Sequence, residues 1–413
     1  MISYIFYYNL ILQTVIASVL VVSKVDDHYA ISRVSDDARF WGWSAVSYMM
    51  LTMPLGMLLA RFVFSRNNSV KSLLFEYTKS KIDLKFLGGK SLKYTVWLFT
   101  VISVLACLYT FYTIGYFPFY KIFKVSFSYA NELRITASRD FGGNIYVRNF
   151  FALTMMPVLS YVWCFYYIRT RSVLDLIVFM GSFIFSLSIL YYDFSKAPML
   201  SYLLSFIFVY FYAFGRVNKK LGFMAVTTVV IILSLMYSFI GLTLSGLLSH
   251  NTGPIGRILL GQSAGLYFMF DIFPLEHSFL GFSSFSQLLS NVFGFEYIDR
   301  AARITMTSFN PTGVAEGTAG VMNSIYLAEA WANFGLLGVL LSPLWVGFVI
   351  QCLYLFFLKS NKNPLYLAFF VAFSSGGGIT GGINEYIYNP GLIIILMFFL
   401  AVVFTSKFLN GLK

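Results

Sequence analysis

The chain has 413 residues, 58% of them hydrophobic and 11% charged, with a mean hydropathy of +0.75. A soluble domain carries about 25% charged residues, so this deficit, with repeated apolar runs of about 20 residues, excludes a soluble globular protein and marks a polytopic helical membrane protein. The net charge of +12 calls for no nucleic-acid partner, because basic residues also set membrane topology.

In chain order the apolar runs predict an all-α membrane domain over 1–413, with spans at roughly 2–22, 40–63, 94–116, 147–168, 173–192, 197–215, 222–245, 326–358, 364–380 and 391–409. MISYIFYYNL opens apolar, with no basic leader and no small-residue cleavage site after it, so the first span is expected to be a retained anchor. Five connections on one side carry 17 of the 29 Lys and Arg against Glu76, Asp83 and Asp175, while the other side carries 12 basic and 14 acidic residues. Short basic loops stay inside, which puts both termini in the cytoplasm. Asp175 and Arg61 lie at span ends and are expected to snorkel.

The outer side carries the length. His28, in KVDDHYAISRVSDDAR, reads as a surface residue, and NELRITASRDFGGN follows at 131–144. The turn YYDFSKAPML sets Lys196 beside Asp193. Residues 246–325 form the largest outer loop, and within it Phe279, Phe282, Phe285, Leu288, Leu289 and Val292 share one side of an expected interfacial helix. The last outer stretch, SSGGGITGGINEYIYNP, is rich in glycine and reads either as a close-approach or re-entrant segment or as a flexible loop. Cys107, Cys164 and Cys352 lie in apolar runs without disulfide or metal spacing.

The chain has no GxxxxGKS, HExxH, GxSxG or CxxC motif and no acidic pair in a cytoplasmic loop. Neither a cofactor nor a metal is expected. What remains is a set of outward cations: Arg134, Arg139, Arg148, Lys196, Arg257, Arg300 and Arg303. Each either anchors to headgroups or joins others on a pyrophosphate, which the arginine fork matches with charge-assisted hydrogen bonds. Glu329, in the first turn of a span, is either a helix cap or a general base. His277, beside Glu276, is either a packing residue or a proton acceptor.

At FSKAPML, RILLGQSAGLYF and AEAWANFGLLGVLLSPLWVGFVI, with RITASRDFGGN similar in kind, the sequence resembles the O-antigen polymerases, the Wzy-type polymerases of oligosaccharide repeat units. The resemblance covers about half the chain, from the fifth span through the eighth. It implies a GT-C-like, metal-independent glycosyltransferase working on undecaprenyl-pyrophosphate-linked oligosaccharides at the periplasmic face of the bacterial inner membrane. Membrane lipid, and a chain-length regulator and flippase of the same pathway, are the implied partners. His250–Asn251 with Gly261 imitates the spacing of related O-antigen ligases, but Gln262 departs from it. Ligase and lipid-linked-sugar transporter therefore stay open beside polymerase.

The charge division generates the first test. Reporter fusions after residues 130 and 290 should be active only as periplasmic reporters; cytoplasmic activity at either point would overturn the topology.

Overall fold

The structure is a computed structural model that describes residues 5–25, 27–28, 30–66, 69–121, 127–215, 249, 251, 253–376 and 378–411, with single residues at 223, 227 and 231. It is nearly all helical, 76% helix with no strand among the described residues. Among the described residues seven helices are long and apolar enough to cross a membrane, as in a polytopic membrane protein. They span Asp36–Phe64, Lys90–Lys121, Val147–Thr170, Val173–Leu190, Lys196–Phe214, Tyr326–Lys359 and Ile383–Gly411. The expected runs at 2–22 and 364–380 form shorter apolar helices, Leu10–Val22 and Pro364–Gly376. The expected span at 222–245 lies almost wholly outside the described residues, as does His250.

The chain divides into two compact units, each described by itself. The first comprises Met1–Asn67, Leu233–Leu355 and Gly377–Asn389. It opens with α1 (Ala17–Val22) and α2 (Asp36–Phe64), the latter capped by the Ser35 hydroxyl, which accepts from the Ala38 N–H. Residues 246–325 supply short helices, among them α9 (Ala264–Ile272), α10 (Gln287–Phe293) and α11 (Ala301–Phe309). The last long element is α12 (Tyr326–Lys359), of which residues to Leu355 belong here.

Glycine sets the closest approach in this unit. A Cβ on Gly56 would lie 2.1 Å from the Leu344 carbonyl oxygen, and one on Gly347 would lie 2.1 Å from that of Met53. Backbone meets backbone at the α2–α12 crossing, the packing that small residues permit between membrane helices. Gly42 likewise admits the ring of Tyr267 from α9.

The second unit comprises Asn68–Ile232, Phe356–Gly376 and Pro390–Lys413. It contains α3 (Val70–Lys79), α4 (Lys90–Ile114), α5 (Phe127–Ser138), α6 (Met156–Thr170), α7 (Val173–Leu190), α8 (Lys196–Phe214), α13 (Pro364–Gly376) and α14 (Pro390–Gly411). Its centre is α6, buried at every residue from Met156 to Tyr166. Some polar groups of this interior are paired: the Trp163 indole donates to Thr100 Oγ1 at 2.9 Å, and the Tyr212 and Ser374 hydroxyls meet at 2.7 Å, while the buried Tyr166 hydroxyl has no partner among the described residues.

Three local expectations change. Asp175 does not snorkel: it is fully buried, accepting from Lys93 Nζ at 2.6 Å and from the Thr170 hydroxyl at 2.6 Å, because α6 and α7 close over it. His28 is buried too, its Nδ1 accepting from the Ala30 N–H. The amphipathic run 279–292 is helical only from Gln287 to Phe293; Phe285 is buried instead of facing an interface, and its ring and that of Phe282 pack on Phe334.

Lys362, in the turn before α13, is buried and donates to the carbonyls of Thr78 and Ser80 at 3.0 and 2.8 Å. Burial pushes its amine down to about 8. Between that value and the ordinary lysine range the unfolded chain holds a proton that the folded chain has lost, so stability rises with pH across that window. The thermal midpoint of purified protein should therefore climb from pH 8 to 10, and Lys362→Met should flatten the climb; parallel pH profiles in the two proteins would show that this amine is not the cause.

Candidate functional site

The first turns of α12 are buried on almost every side: Tyr326, Leu327, Ala328, Ala330 and Ala332 have no exposed surface. The helix breaks at Gly335, whose φ of +58° only glycine adopts readily. A break of this kind strands carbonyls that helical i→i+4 bonds would have used. Here the 280s take them: the Leu280 N–H donates to Ala332 O at 3.0 Å and the Gly281 N–H to Asn333 O at 2.9 Å. The Trp331 indole adds a bond to Phe273 O at 3.0 Å. The kink thus draws residues 273–285 onto the start of α12.

Glu329 lies on this short helical segment, 3% exposed. A buried carboxylate is costly unless paired and hydrogen-bonded, and this one is both. Arg300 Nε donates to Oε1 at 3.1 Å, and the Asn384 N–H approaches Oε2 at 3.4 Å. Arg300 Nη2 also donates to Asn384 Oδ1 at 3.0 Å, and Asn384 Nδ2 reaches Phe285 O at 3.4 Å. Hydrogen bonds to charged groups contribute about 1.5–3 kcal/mol each, so the triad ties three distant stretches together. Arg300 enters at the N-cap of α11 and Asn384 on a tight 3-10 turn, Ile383–Tyr386.

The glycine-rich stretch makes this possible as a close-approach segment. Gly381 N–H donates to Ser324 O at 2.9 Å and Tyr326 N–H to Ile379 O at 3.0 Å, around an isolated Ile325–Thr380 bridge. A Cβ on Gly382 would lie 1.7 Å from Glu329 Oε2 and 2.5 Å from Arg300 Nη2. No other residue fits there.

A second carboxylate stands beside the first. Glu385 is partly buried, its carboxylate is close to the Gly382 N–H, and it feels the charges of both Arg300 and Glu329. Glu329 has each oxygen facing a donor, so Glu385 is the more open of the two. One turn along α12, Asn333 accepts from the Ser284 hydroxyl at 2.9 Å, while its buried Nδ2 has no partner among the described residues. The Tyr326 hydroxyl is in the same position. No group of three or more His, Cys, Asp and Glu among the described residues is disposed to hold a metal.

Of the residues expected at a site, the structure pairs Arg300 with Glu329. Arg303, one turn on, spends its Nη1 on the carbonyls of Ala319 and Gly320 at 3.1 and 2.7 Å. Arg257 and His277 are exposed in the same unit, His277 with its ring 5.9 Å from that of Phe273. Neither is hydrogen-bonded to the Glu329–Arg300 pair. Arg134, Arg139 and Lys196 belong to the second unit, the first two exposed on or just after α5 and Lys196 half-buried at the start of α8. Arg148, in that unit, is buried: it donates to the Ala137 and Ser138 carbonyls at the end of α5 and stacks on Phe141 and Tyr192, a helix-capping role.

Asn384 and Gly382 were not singled out by the sequence reading. The signal was the glycine pair Gly381–Gly382 just ahead of Ile383, Asn384 and Glu385, but nothing local connects it to Arg300 or Glu329.

Glu329→Ala, which leaves Arg300 without its carboxylate, should cost about 3 kcal/mol, the low end for a broken buried pair because Arg300 keeps 38% exposure. Gly382→Ala should cost about 1–3 kcal/mol by overpacking. Since its closest clash is with the Glu329 carboxylate, with Arg300 and Asn384 next, the double variant should lose less than the sum of the two single losses. Additive losses in thermal unfolding would show that Gly382 and Glu329 are not coupled.

The chain matches no protein-family model, no curated protein and no solved structure.

Proposed function

We propose that the protein polymerises undecaprenyl-pyrophosphate-linked oligosaccharide repeat units into O-antigen, or a related surface polysaccharide, at the periplasmic face of the bacterial inner membrane, with both termini cytoplasmic. One observation carries the placement of the chemistry. Arg300 is held by a buried carboxylate and an amide at the head of a membrane-spanning helix, with Nη1 left unpartnered among the described residues and the side chain 38% exposed. A guanidinium fixed in this way presents a preorganised charge to an anion, the kind of stabilisation that acts without reorganisation in the transition state.

In this proposal Arg300 receives the pyrophosphate of the donor, and exposed Arg257 supplies a second cation. Arg303, in the same unit, is a secondary anion contact. The acceptor sugar hydroxyl attacks the anomeric carbon of the donor; the bond to the pyrophosphate oxygen breaks, and its electron pair leaves with undecaprenyl pyrophosphate. The hydroxyl proton passes to a carboxylate, for which Glu385 is better exposed than Glu329, with His277 as the other candidate. Glu329 and Asn384 orient Arg300. The exposed rings of Phe279, Phe282 and Tyr297 offer apolar faces for sugars. The pyrophosphate is already a good leaving group, so positioning and electrostatics suffice without a metal.

Deletion of the gene should leave lipid A core bearing a single repeat. Core with no repeat and accumulated lipid-linked polymer would identify a ligase instead; core with no repeat and lipid-linked units stranded inside would identify a transporter. A defect confined to capsule or exopolysaccharide would move the activity to that polymer. Losing one forked contact to a desolvated anion costs about 2–5 kcal/mol, or roughly 30-fold to several thousand-fold in rate. Arg300→Lys should therefore shorten chains sharply at normal protein abundance, and Glu385→Gln should lower the rate by about 100-fold or more. Full-length ladders in both variants would remove the pair from the mechanism.

A further inference from the structure

Away from Glu329, and sharing no residue with it, a groove of about 610 Å³ lies beside the α2–α12 crossing. Leu55, Leu58, Leu59, Phe62 and Leu344 line it, with Arg61 and Arg66 the only charged lining residues among those described. The volume falls within the range of small-molecule pockets. The three leucines of α2 and Phe62 are each more than half exposed, so the protein leaves this hollow for hydrocarbon to fill. Neither guanidinium forms an ion pair with a carboxylate among the described residues, and that of Arg66 lies 5.1 Å over the Phe62 ring. Arg61 stands in the last turn of α2, and Arg66 follows just beyond its end.

We infer that this groove binds one anionic glycerophospholipid, an acyl chain along the leucines and its phosphate at Arg61 and Arg66. The composition of the lining selects that class. An apolar bed ending at two guanidiniums matches a ligand that is hydrocarbon at one end and anionic at the other. A zwitterionic lipid would bring its own ammonium toward two cations, and no acidic side chain among the described residues lines the groove to receive it. The glycine contacts at Gly56 and Gly347 hold the two helices at fixed separation, so the hollow is built into the fold and does not depend on the bound lipid. The inference stands whether or not the polymerase reading does.

Native mass spectrometry of the full chain in mild detergent tests it, with phosphatidylglycerol and phosphatidylcholine of identical acyl chains and undecaprenyl phosphate as a third probe. One phosphatidylglycerol should be retained at concentrations at least about tenfold below those needed for phosphatidylcholine, given the contribution of each cation near an anionic headgroup. The Arg61→Ala/Arg66→Ala double variant should lose that preference, whereas the double lysine variant should keep most of it. Leu59→Trp, which fills the groove but keeps both cations, should weaken phosphatidylglycerol retention as well. A thermal midpoint for each variant separates lost binding from lost folding. Equal retention of the two phospholipids would overturn the inference, as would an unchanged preference in a folded double-alanine variant. Displacement of phosphatidylglycerol by undecaprenyl phosphate at lower concentration would overturn the assignment to a glycerophospholipid.

Discussion

The cost of burying one carboxylate organises the first unit. Glu329 sits at 3% exposure near the head of α12, and a charge so placed survives only with donors around it. Those donors come from 29 residues before it and 55 after it. Satisfying the carboxylate therefore fixes the entry into α11, the glycine-rich turn at 381–386 and, through Asn384 Nδ2, the backbone at Phe285. The α12 kink does the complementary work. By releasing the Ala332 and Asn333 carbonyls, Gly335 lets residues 280 and 281 bond to α12, which brings Phe285 within reach.

Such an arrangement weakens the case for Glu329 as a base and strengthens it as a holder. A proton acceptor needs a lone pair open to the reacting hydroxyl, and both oxygens of Glu329 face donors. Glu385, one residue beyond Asn384, has the openness that Glu329 lacks and lies within the field of the same guanidinium. In the proposed glycosyl transfer, two carboxylates of unequal exposure beside one arginine divide the labour: one fixes the cation and the other takes the proton.

Much of the fold was legible because membrane helices announce themselves by composition alone. The run AEAWANFGLLGVLLSPLWVGFVI is apolar apart from Glu329, Asn333 and Ser342, and α12 follows from it. What lay hidden was long-range or backbone-specific. Nothing in the sequence near Gly335 marks it as a break rather than another membrane glycine; its φ angle does. The spacing of Phe279, Phe282 and Phe285 suited an amphipathic helix, but the carbonyls freed at Ala332 and Asn333 captured that stretch in another form. Asp175 looked like a span-end acid, and its partner Lys93 is 82 residues away. Arg300 and Glu329 were both recognisable as candidates, one for its charge and the other for its place in a first turn. Their pairing was not, because the sequence supplies no signal that joins them through Asn384.

The most direct measurement is a reaction with purified protein in detergent or nanodiscs, given a synthetic undecaprenyl-pyrophosphate-linked repeat unit in excess EDTA. The account predicts lipid-linked dimers and longer polymers with release of undecaprenyl pyrophosphate, near-complete loss with Arg300→Lys or Glu385→Gln in folded protein, and partial retention with His277→Ala. Folded wild-type protein that leaves the repeat unit unchanged, or that extends it only when magnesium or manganese is restored, would contradict it.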